Sequence, residues 1–582
     1  MKLFKRRDFL KYFGVSTSIA GALSIFPLAF FNGCSRKGKS PPNVILILTD
    51  DQGFGDVGVN GNDEIKTPNI DRLASESVEL TQFYCSPVCS PTRASLMTGR
   101  YNYRTGIVHT SRGGAKMQTD EVTIAEMIPN KVYKTGIFGK WHLGDNYPMR
   151  PSEQGFQESL IHLSGGLCQA PDIPNSYFDP KLWHNNKPCV YKGYCSDIFT
   201  EAAIQFIEKN KNNPFFAYIP YNAPHTPLIV SDEESEPYRA MGLSEDVARL
   251  YGMVTNIDDN LGRLFNKLKK LGLEENTIVV FMSDNGPGGP RRYNASLHGR
   301  KGSTYDGGIR VPCYIRWPGE FRAGKKVDRV AAHIDITPTL LDAIGIEKPD
   351  NVSFDGVSLM PLLQEDNVEW PDRTLYFQFN RGMVPQLYQN CSARSQRYKL
   401  VSAHGGSEER DPKLPDLKPE FELYDMSVDP NETNDISKEH PDIVERMCGG
   451  YEAWFREMEN SRRFAPGLIH IGSEHANPVH LCRYQDASYI NSIPQGWPVK
   501  IEKSGRYEVS INRCGHNGNA KIFVKFGNIS VSKTLFSGEN KAIFDLPAGD
   551  GMLKIWFEED RKEKIIFTEN HTIGDVDIKL LN

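Results

Sequence analysis

The sequence predicts an α/β fold with a doubly wound, mostly parallel sheet, followed by a smaller α+β subdomain and a C-terminal β-sandwich. Continuous apolar runs such as Asn43 to Leu48 are typical of strands buried on both faces of a parallel sheet. Helical patterns lie between these runs, whereas the sequence after about residue 475 contains strands and turns alone. With 582 residues, 39% of them apolar, the chain can bury more than one core.

Four of the apolar runs end in polar residues. Doubly wound sheets place their sites beyond the carboxyl ends of their strands, so we expect segments distant in the chain to converge on one pocket. The runs are 43–48, 132–138, 215–219 and 277–282, and they precede Asp50 and Asp51, Gly139 to His142, Ala223 to His225, and Asp284 to Gly286.

Apolar residues also predict one long core-facing helix. They recur at steps of three and four from Val247 to Leu268, after Ser244 as a candidate N-cap. Short strands over 374–379 and 398–403 then predict the α+β subdomain. The predicted units are a targeting segment over 1–34, an α/β domain over 42–368, the α+β subdomain over 369–474 and the β-sandwich over 475–582.

The net charge and the spacing of the cysteines argue against a nucleic-acid partner and against a full disulfide framework. The net charge is -5 and no long basic run follows residue 40, so the sequence predicts no nucleic-acid partner. The eleven cysteines are irregularly spaced and form no CxxC pair. We therefore expect no full disulfide framework, and most of the cysteines are predicted to be small buried residues.

The N-terminus predicts export. Arg6 and Arg7 precede an apolar stretch from Val15 to Phe31, which Ser, Thr and Pro interrupt. The arginine pair resembles the twin-arginine signal, so we expect the export machinery that reads it as a partner and a periplasmic or lipid-anchored location at the cell envelope. Cys34 follows a segment similar to a lipoprotein cleavage site and is a candidate for lipidation. The alternative is a membrane anchor helix.

The segment from Cys89 to Arg100 resembles the signature of the bacterial type I, formylglycine-dependent sulfatases of the alkaline phosphatase superfamily. It reads CSPTR up to Arg93 and continues as ASLMTGR. In that family a maturation enzyme oxidises the cysteine to formylglycine, so the resemblance implies an aldehyde at position 89 and an alkaline-phosphatase-like fold. A free cysteine on a turn before a helix is the structural alternative.

The resemblance extends over roughly residues 42 to 440 and implies a metal site. Independently, oxygen ligands without Cys or His among them favour calcium or magnesium over zinc. Helix capping is the alternative for any one pair of such residues, but it does not explain why both pairs follow buried strands. The positions that match the family's ligands for one divalent cation, usually calcium, are Asp50, Asp51, Asp284 and Asn285, with Cys89 beside them.

Three further blocks match the family, at 139–144, 224–227 and 299–308. Taken alone, each lysine in them is more often a solvated charge and each histidine a loop residue with satisfied hydrogen bonds. By the resemblance, the ester's sulfate contacts Lys140, His225 and Lys301, while the nucleophile is supported by Arg93 and partnered by His142 as a base.

One block departs from the family pattern. Where many bacterial members have Pro-Leu-Arg before the Lys301 block, this chain has Ser296, Leu297 and His298. His298 is therefore a candidate substrate contact, or it lines the rim of the site.

The chemistry requires these residue types. A sulfate monoester is a poor electrophile, so a cation and several positively charged donors are needed to spread the charge that develops. By the resemblance, one hydroxyl of the hydrated aldehyde attacks sulfur. The second hydroxyl, deprotonated by His142, then expels sulfate and restores the aldehyde.

Two rival functions stay open from the sequence. One is a phosphonate or phosphate ester hydrolase of the same superfamily, although the extra Asp and His ligands of a two-metal phosphatase are not found. The other is a glycan-binding lipoprotein that is inactive because Cys89 is never converted.

The substrate is predicted to be a sulfated saccharide rather than a small aryl sulfate. The reasons are the terminal β-sandwich and an aromatic insertion from Tyr177 to His184. Trp497, Tyr507 and Trp556 of the sandwich are candidates for stacking on sugars, although aromatic residues in such positions more often belong to the core.

Overall fold

The computed structural model describes residues 40–404, 418–490, 493–511, 520–559 and 575–581. Arg6, Arg7 and Cys34, on which the export and lipidation predictions depend, lie outside the described residues, as does Cys514. In the described part of the chain, none of the helices combines the length and apolar character that a membrane span needs.

Twelve strands are described before residue 340, and ten of these form one large sheet. Its order is β11-β2-β10-β9-β1-β8-β4-β5-β6-β7, and β3 pairs separately with β12. The central pairings from β9 to β5 are parallel, and antiparallel pairs flank them. The strands β1 to β12 are Asn43–Thr49, Val78–Leu80, Phe83–Tyr84, Lys134–Lys140, Glu158–His162, Lys181–His184, Lys187–Val190, Phe215–Pro220, Thr277–Ser283, Cys313–Arg316, Lys326–Val327 and Ala331–Ala332.

Helices cover both faces of this sheet, where two large apolar clusters lie. Alternate residues of β1 enter the two clusters, which explains why its sequence is apolar throughout: Leu46 packs in one and Ile47 in the other. The helices α1 to α9 are Pro68–Ser75, Cys89–Thr98, Ile124–Met127, Cys195–Lys209, Asp232–Ala240, Glu245–Leu271, Asp306–Ile309, Ile336–Ala343 and Met360–Gln364. Short 3-10 helices cover Gly58–Asn60, Asn102–Thr105, Glu274–Asn276 and His333–Asp335.

The long helix was predicted correctly. Ser244 is the N-cap residue of α6, and the seven apolar positions that predicted the helix, from Val247 to Leu268, are all buried. Gly272 ends the helix in a left-handed conformation (φ 67°), a common way to stop a helix.

The middle of the chain adds an antiparallel sheet and one long helix. Four strands pair in the order β13-β14-β15-β16, and α10 packs against them through Tyr451, Trp454 and Phe455. These elements are Leu375–Gln378, Cys391–Arg394, Tyr398–Ser402, Glu422–Asp425 and the helix Pro441–Arg462.

The last part of the chain forms two antiparallel-rich sheets around a common apolar cluster, as predicted. Their orders are β17-β20-β25-β22-β23, with β19 paired to β20, and β18-β26-β21-β24. The strands β17 to β26 are Ile469–Ile471, Val479–Leu481, Ser488–Ile490, Ile493–Ile501, Gly505–Ile511, Ala520–Phe526, Ile529–Leu535, Lys541–Leu546, Gly549–Glu559 and Val576–Leu580.

Three details differ from the sequence predictions. The run expected to end at Phe138 continues as β4 through Lys140, because Lys140 pairs with His162 of β5. The terminal sheets begin at Ile469, before residue 475. The region predicted to hold strands and turns alone contains a short helix, α11, at Arg483–Asp486, which the turn-like sequence did not indicate.

The burial of the cysteines agrees with the prediction. All nine that the structure describes are free, and six of these are buried.

Candidate active site

Four neighbouring parallel strands bring the predicted site together. β9, β1, β8 and β4 are adjacent, so their carboxyl ends lie at the same edge of the sheet. Asp284 follows β9, Asp50 follows β1, His225 follows β8, and Lys140 is the last residue of β4. The topology therefore explains why segments far apart in the sequence meet in one place.

Asp51 and Asp284 link the first two of these strand ends. The backbone N–H of Asp51 donates to Oδ1 of Asp284 at 3.2 Å, and the side-chain amide of Asn285 donates to Oδ1 of Asp51 at 2.8 Å. Asp51 has a left-handed backbone (φ 66°). A Cβ atom on Gly288 would lie 2.2 Å from Oδ2 of Asp51, so only glycine lets this loop pass the carboxylate.

The oxygen atoms of these residues suit a hard divalent cation. Oδ1 of Asp50 and Oδ1 of Asn285 are buried and have no hydrogen-bond partner among the described residues, which is costly unless another group binds them. Ligand atoms of Asp50, Cys89 and Asp284 lie within 4.8 Å of one another. The residues present therefore fit a metal ion of the calcium or magnesium type.

Cys89 is the first residue of α2 and is 2% exposed. Its thiol is therefore held at the N-terminal end of a helix, inside the protein. Burial raises the pKa of this thiol, Lys140 and Lys301 lower it, and Asp50 and Asp284 raise it again. With the pKa raised, the thiol is protonated at neutral pH and is a poor nucleophile in its unmodified form.

Arg93 lies one turn further along α2 and is completely buried. Its Nε and Nη2 both donate to Oδ2 of Asp284, at 3.1 and 2.7 Å. Its Nη1 donates to the carbonyl of Lys140 at 2.8 Å, so Arg93 connects α2 to the ends of both β9 and β4.

His142 faces Cys89 with its unprotonated nitrogen. Its Nε2 lies 2.7 Å from the carbonyl of Thr110, which can only accept, so Nε2 carries the proton. Nδ1 lies 3.5 Å from Sγ of Cys89. Burial lowers the pKa of His142 well below its usual value, and the Lys140 ammonium lowers it further. The imidazole is therefore neutral and able to accept a proton from a group at position 89.

Two ammonium groups and a second imidazole surround the carboxylates. Nζ of Lys140 lies 2.7 Å from Asp50, and Nζ of Lys301 lies 2.6 Å from Asp51. Nε2 of His225 lies 3.8 Å from Asp51, while its Nδ1 donates to the carbonyl of Thr226 at 2.7 Å. Burial, and then Lys301, lower the pKa of His225 to about 4, so this imidazole is neutral in the unliganded site.

His298 is not drawn into this cluster. Its side chain is exposed and stacks on the ring of Tyr305, with 3.9 Å between ring centroids. This position fits the rim, and the structure gives His298 no contact with the residues described above.

The aromatic candidates of the terminal sheets belong to the core or pack against it. Trp497 and Tyr507 are 3% and 0% exposed and belong to the core. Trp556 is half-buried and stacks on Phe523 with 5.1 Å between ring centroids.

Three supporting residues were not predicted as part of the site. The carbonyl of Thr110 sets the tautomer of His142, and the hydroxyl of Tyr177 donates to the carbonyl of His225 at 2.7 Å. Arg292 donates to the carbonyl of Asp51 at 3.2 Å and to Asp56. A backbone carbonyl leaves no signal in residue type. Arg292 could have been predicted, because two arginines directly follow the glycine-rich 286–290 loop.

Comparison with known proteins agrees with this geometry. The family model described as Sulfatase matches residues 42–346, and one described as N-sulphoglucosamine sulphohydrolase, C-terminal, matches residues 299–448. N-acetylgalactosamine-6-sulfatase of Sus scrofa is 33% identical, over 60% of this chain and 71% of its own length. Arylsulfatase A of Homo sapiens is 30% identical, over 68% of this chain and 83% of its own length.

Solved structures give the same result. A structure described as Ps i-CgsB in complex with k-i-k-neocarrahexaose has 31% sequence identity and a TM-score of 0.62, and the match covers 71% of this chain and 93% of that one. The first family model alone covers more than half of the present sequence. The chain therefore belongs to the sulfatase family and is a sulfuric ester hydrolase.

Proposed function

We propose that this chain is an exported sulfatase that removes sulfate from sulfated carbohydrates, using an aldehyde made from Cys89 and one divalent cation, calcium. The observation that carries the proposal is the pairing of Cys89 with the unprotonated Nδ1 of His142, at 3.5 Å, inside a cluster of buried charges. Burial raises the pKa of the unmodified thiol and makes it a poor nucleophile, so conversion to an aldehyde would supply the reactivity that the thiol lacks.

The cation would be held by the oxygen atoms that the fold leaves without partners. Calcium is favoured because it accepts several carboxylate and amide oxygens in flexible geometry, whereas zinc prefers sulfur and nitrogen. When bound, it would act as a Lewis acid on a sulfate oxygen. The residues that would hold it are Asp50, Asp51, Asp284 and Asn285, with the side chain of residue 89.

The aldehyde would be made by a maturation enzyme and, once hydrated, would supply a hydroxyl as nucleophile. His142 is placed to take a proton at Nδ1, because its Nε2 is already committed to Thr110. The two bonds that Arg93 makes to Asp284 fix the distance between α2 and the metal-binding side chains. A neutral base and a rigid support are the requirements of proton transfer in such a site.

The surrounding cations would stabilise the sulfate. Lys140 and Lys301 are held by carboxylates, so their ammonium groups are fixed in place before substrate binds. His225 is neutral without substrate, and the negative charge of a bound sulfate ester would favour its protonated, donating form. Three positive groups around a singly charged ester match the charge that develops in the reaction.

The carbohydrate assignment rests on the relatives. N-acetylgalactosamine-6-sulfatases of five mammals are among the similar proteins, and the solved structure at 31% identity was determined with k-i-k-neocarrahexaose. Export through the twin-arginine machinery, followed by periplasmic residence or lipid anchoring at Cys34, is proposed from the N-terminal sequence, since a polymeric substrate would lie outside the cytoplasm.

A panel of esters tests the proposal. Purified protein, produced together with a formylglycine-generating enzyme, is assayed for sulfate release from N-acetylgalactosamine 6-sulfate, k-i-k-neocarrahexaose and 4-nitrophenyl sulfate, and for phosphate release from 4-nitrophenyl phosphate. We expect a saccharide to be the fastest substrate. Faster hydrolysis of the phosphate ester would replace the proposal with a phosphohydrolase, and no hydrolysis by fully converted protein would favour a glycan-binding role.

A further inference from the structure

We propose that Gln485, in the C-terminal part of the chain, is a positioning residue for the base His142. The inference rests on the proposed role of His142. It concerns a residue outside the catalytic motifs, 375 positions away from the carbonyl through which it acts.

Gln485 connects two segments that border His142. Its side-chain Nε2 donates to the carbonyl of Thr110 at 3.4 Å, and this is the same oxygen that accepts from Nε2 of His142 at 2.7 Å. Its Oε1 accepts a hydrogen bond from the hydroxyl of Ser164 at 3.2 Å. Gln485 is 6% exposed, so these bonds form away from bulk water.

The Ser164 side of this arrangement also reaches the imidazole. Gly165 lies so close to the ring that an added Cβ would be 2.7 Å from Cε1 of His142. Ser164 has a left-handed backbone (φ 63°), and its N–H donates to Asp145 at 2.8 Å. The imidazole is therefore confined between the Thr110 carbonyl and the Gly165 backbone, and Gln485 binds both segments.

Backbone bonds fix Gln485 itself against the Thr110 segment. The N–H of Arg112 donates to the carbonyl of Tyr484 and the N–H of Gly113 donates to the carbonyl of Gln485, each at 2.9 Å. Nζ of Lys116 donates to the carbonyl of Asp486 at 2.6 Å. Helix α11 is thus joined to residues 110–116 at several points, and the Gln485 side chain has little freedom to move.

Only an amide side chain satisfies both contacts. Glutamate would keep an acceptor for Ser164 but would place a carboxylate against the Thr110 carbonyl, and methionine fills a similar volume without either bond. Removing a group that orients a metal-ligating histidine typically lowers activity by about 10- to 100-fold, and we expect an effect of that order for a group that orients a base.

The test compares Gln485→Met, Gln485→Glu and Ser164→Ala with wild type in the full chain. The substrate is whichever of 4-nitrophenyl sulfate, N-acetylgalactosamine 6-sulfate and k-i-k-neocarrahexaose wild type hydrolyses fastest. Rates are expressed per converted residue 89, measured by peptide mass. We expect Gln485→Met to lower kcat at least about 10-fold with KM unchanged within a factor of about two, and Gln485→Glu to lower it at least as much. Ser164→Ala should have a smaller effect that is not additive with Gln485→Met.

Two controls distinguish a loss of His142 positioning from a loss of stability and from a wrong assignment of the base. Gln154→Met replaces another buried glutamine, one that donates to the carbonyl of Pro148, and should leave kcat unchanged even where it lowers stability. His142→Ala should abolish most turnover. If His142→Ala is inactive while Gln485→Met retains full kcat, or loses kcat only in step with folded protein, the positioning role is wrong. If His142→Ala retains activity, the proposed base itself is wrong.

Discussion

Arg93 donates two hydrogen bonds to a single oxygen of Asp284, and both side chains are completely shielded from solvent. Burial and the nearby Asp50 raise the pKa of Asp284, and the Arg93 guanidinium opposes that shift. The arginine therefore keeps a carboxylate charged in the interior, in a position where it can bind a cation.

Arg93→Ala should destabilise the protein strongly. Removing the guanidinium leaves a buried carboxylate unpaired, which typically costs about 3 to 5 kcal/mol in the free energy of unfolding. Urea denaturation of metal-free protein measures the change. As a control, Arg322→Ala breaks an exposed ion pair with Asp366 and should cost no more than about 0.5 kcal/mol. Equal effects of the two substitutions would contradict the hypothesis that Arg93 compensates the buried charge of Asp284.

Active protein should carry an aldehyde at position 89. The buried thiol is a poor nucleophile, so we expect peptide mass spectrometry to find the conversion in proportion to specific activity across preparations. Cys89→Ala should fold, because the side chain is small and takes part in no ion pair among the described residues. The variant should nevertheless be inactive. Full activity in protein with only unmodified cysteine would refute the assignment.

Chelation should abolish turnover, and calcium should restore it. Asp284→Asn should lose both metal and activity, because it removes a charged oxygen and weakens the bond to Arg93. Metal content measured by atomic emission, alongside the unfolding temperature, checks this. Metal binds the native state, so the unfolding temperature should rise with calcium concentration in wild type and hardly at all in Asp284→Asn. Undiminished activity in metal-free protein would overturn the metal site.

Lys140, Lys301 and His225, which would surround the sulfate, should each contribute to turnover. Loss of one preorganised charged donor typically costs about a hundred- to a thousandfold in kcat. We expect losses of that size for Lys140→Ala, Lys301→Ala and His225→Ala, with unchanged conversion of Cys89. Lys192→Ala removes an exposed ammonium paired with Asp179 and serves as the control. If kcat fell less than threefold in the Lys140, Lys301 and His225 variants, these groups would not contact the reacting sulfate.

The terminal sheets should become less stable at high pH through His480. Burial disfavours its charge, but Asp575 and Asp577 outweigh this and raise its pKa to about 10. A raised pKa means that the stabilisation is complete below about pH 6.5, the usual value, and is lost as the pH rises towards 10. His480 is 39% exposed, so we expect only about 0.5 to 1 kcal/mol. Urea denaturation should show a difference between wild type and His480→Gln at pH 6 that disappears by pH 10; a constant difference would exclude this source.

The residues that could be predicted from the sequence are those that act through their side chains and lie just after predicted strands. Asp50 and Asp284 follow continuous apolar runs, and the adjacency of β9 and β1 explains why they meet. Thr110 could not be predicted because it acts through its carbonyl, which every residue possesses. Helix α11 was missed because its four residues contain no apolar periodicity, and their position depends on contacts with residues 110–116.

The bonds from Arg112 and Gly113 to the carbonyls of α11 also constrain how this gene can be rearranged. The C-terminal region consists of two sheets around their own apolar cluster, and recombination could in principle replace such a unit with another domain. Yet a chimera joined before residue 483 would lose the hydrogen bonds that hold the Thr110 segment behind His142, together with the exchanged region. Successful exchange of this region in engineering or evolution must therefore retain residues 483–487, or supply a new support for the Thr110 segment.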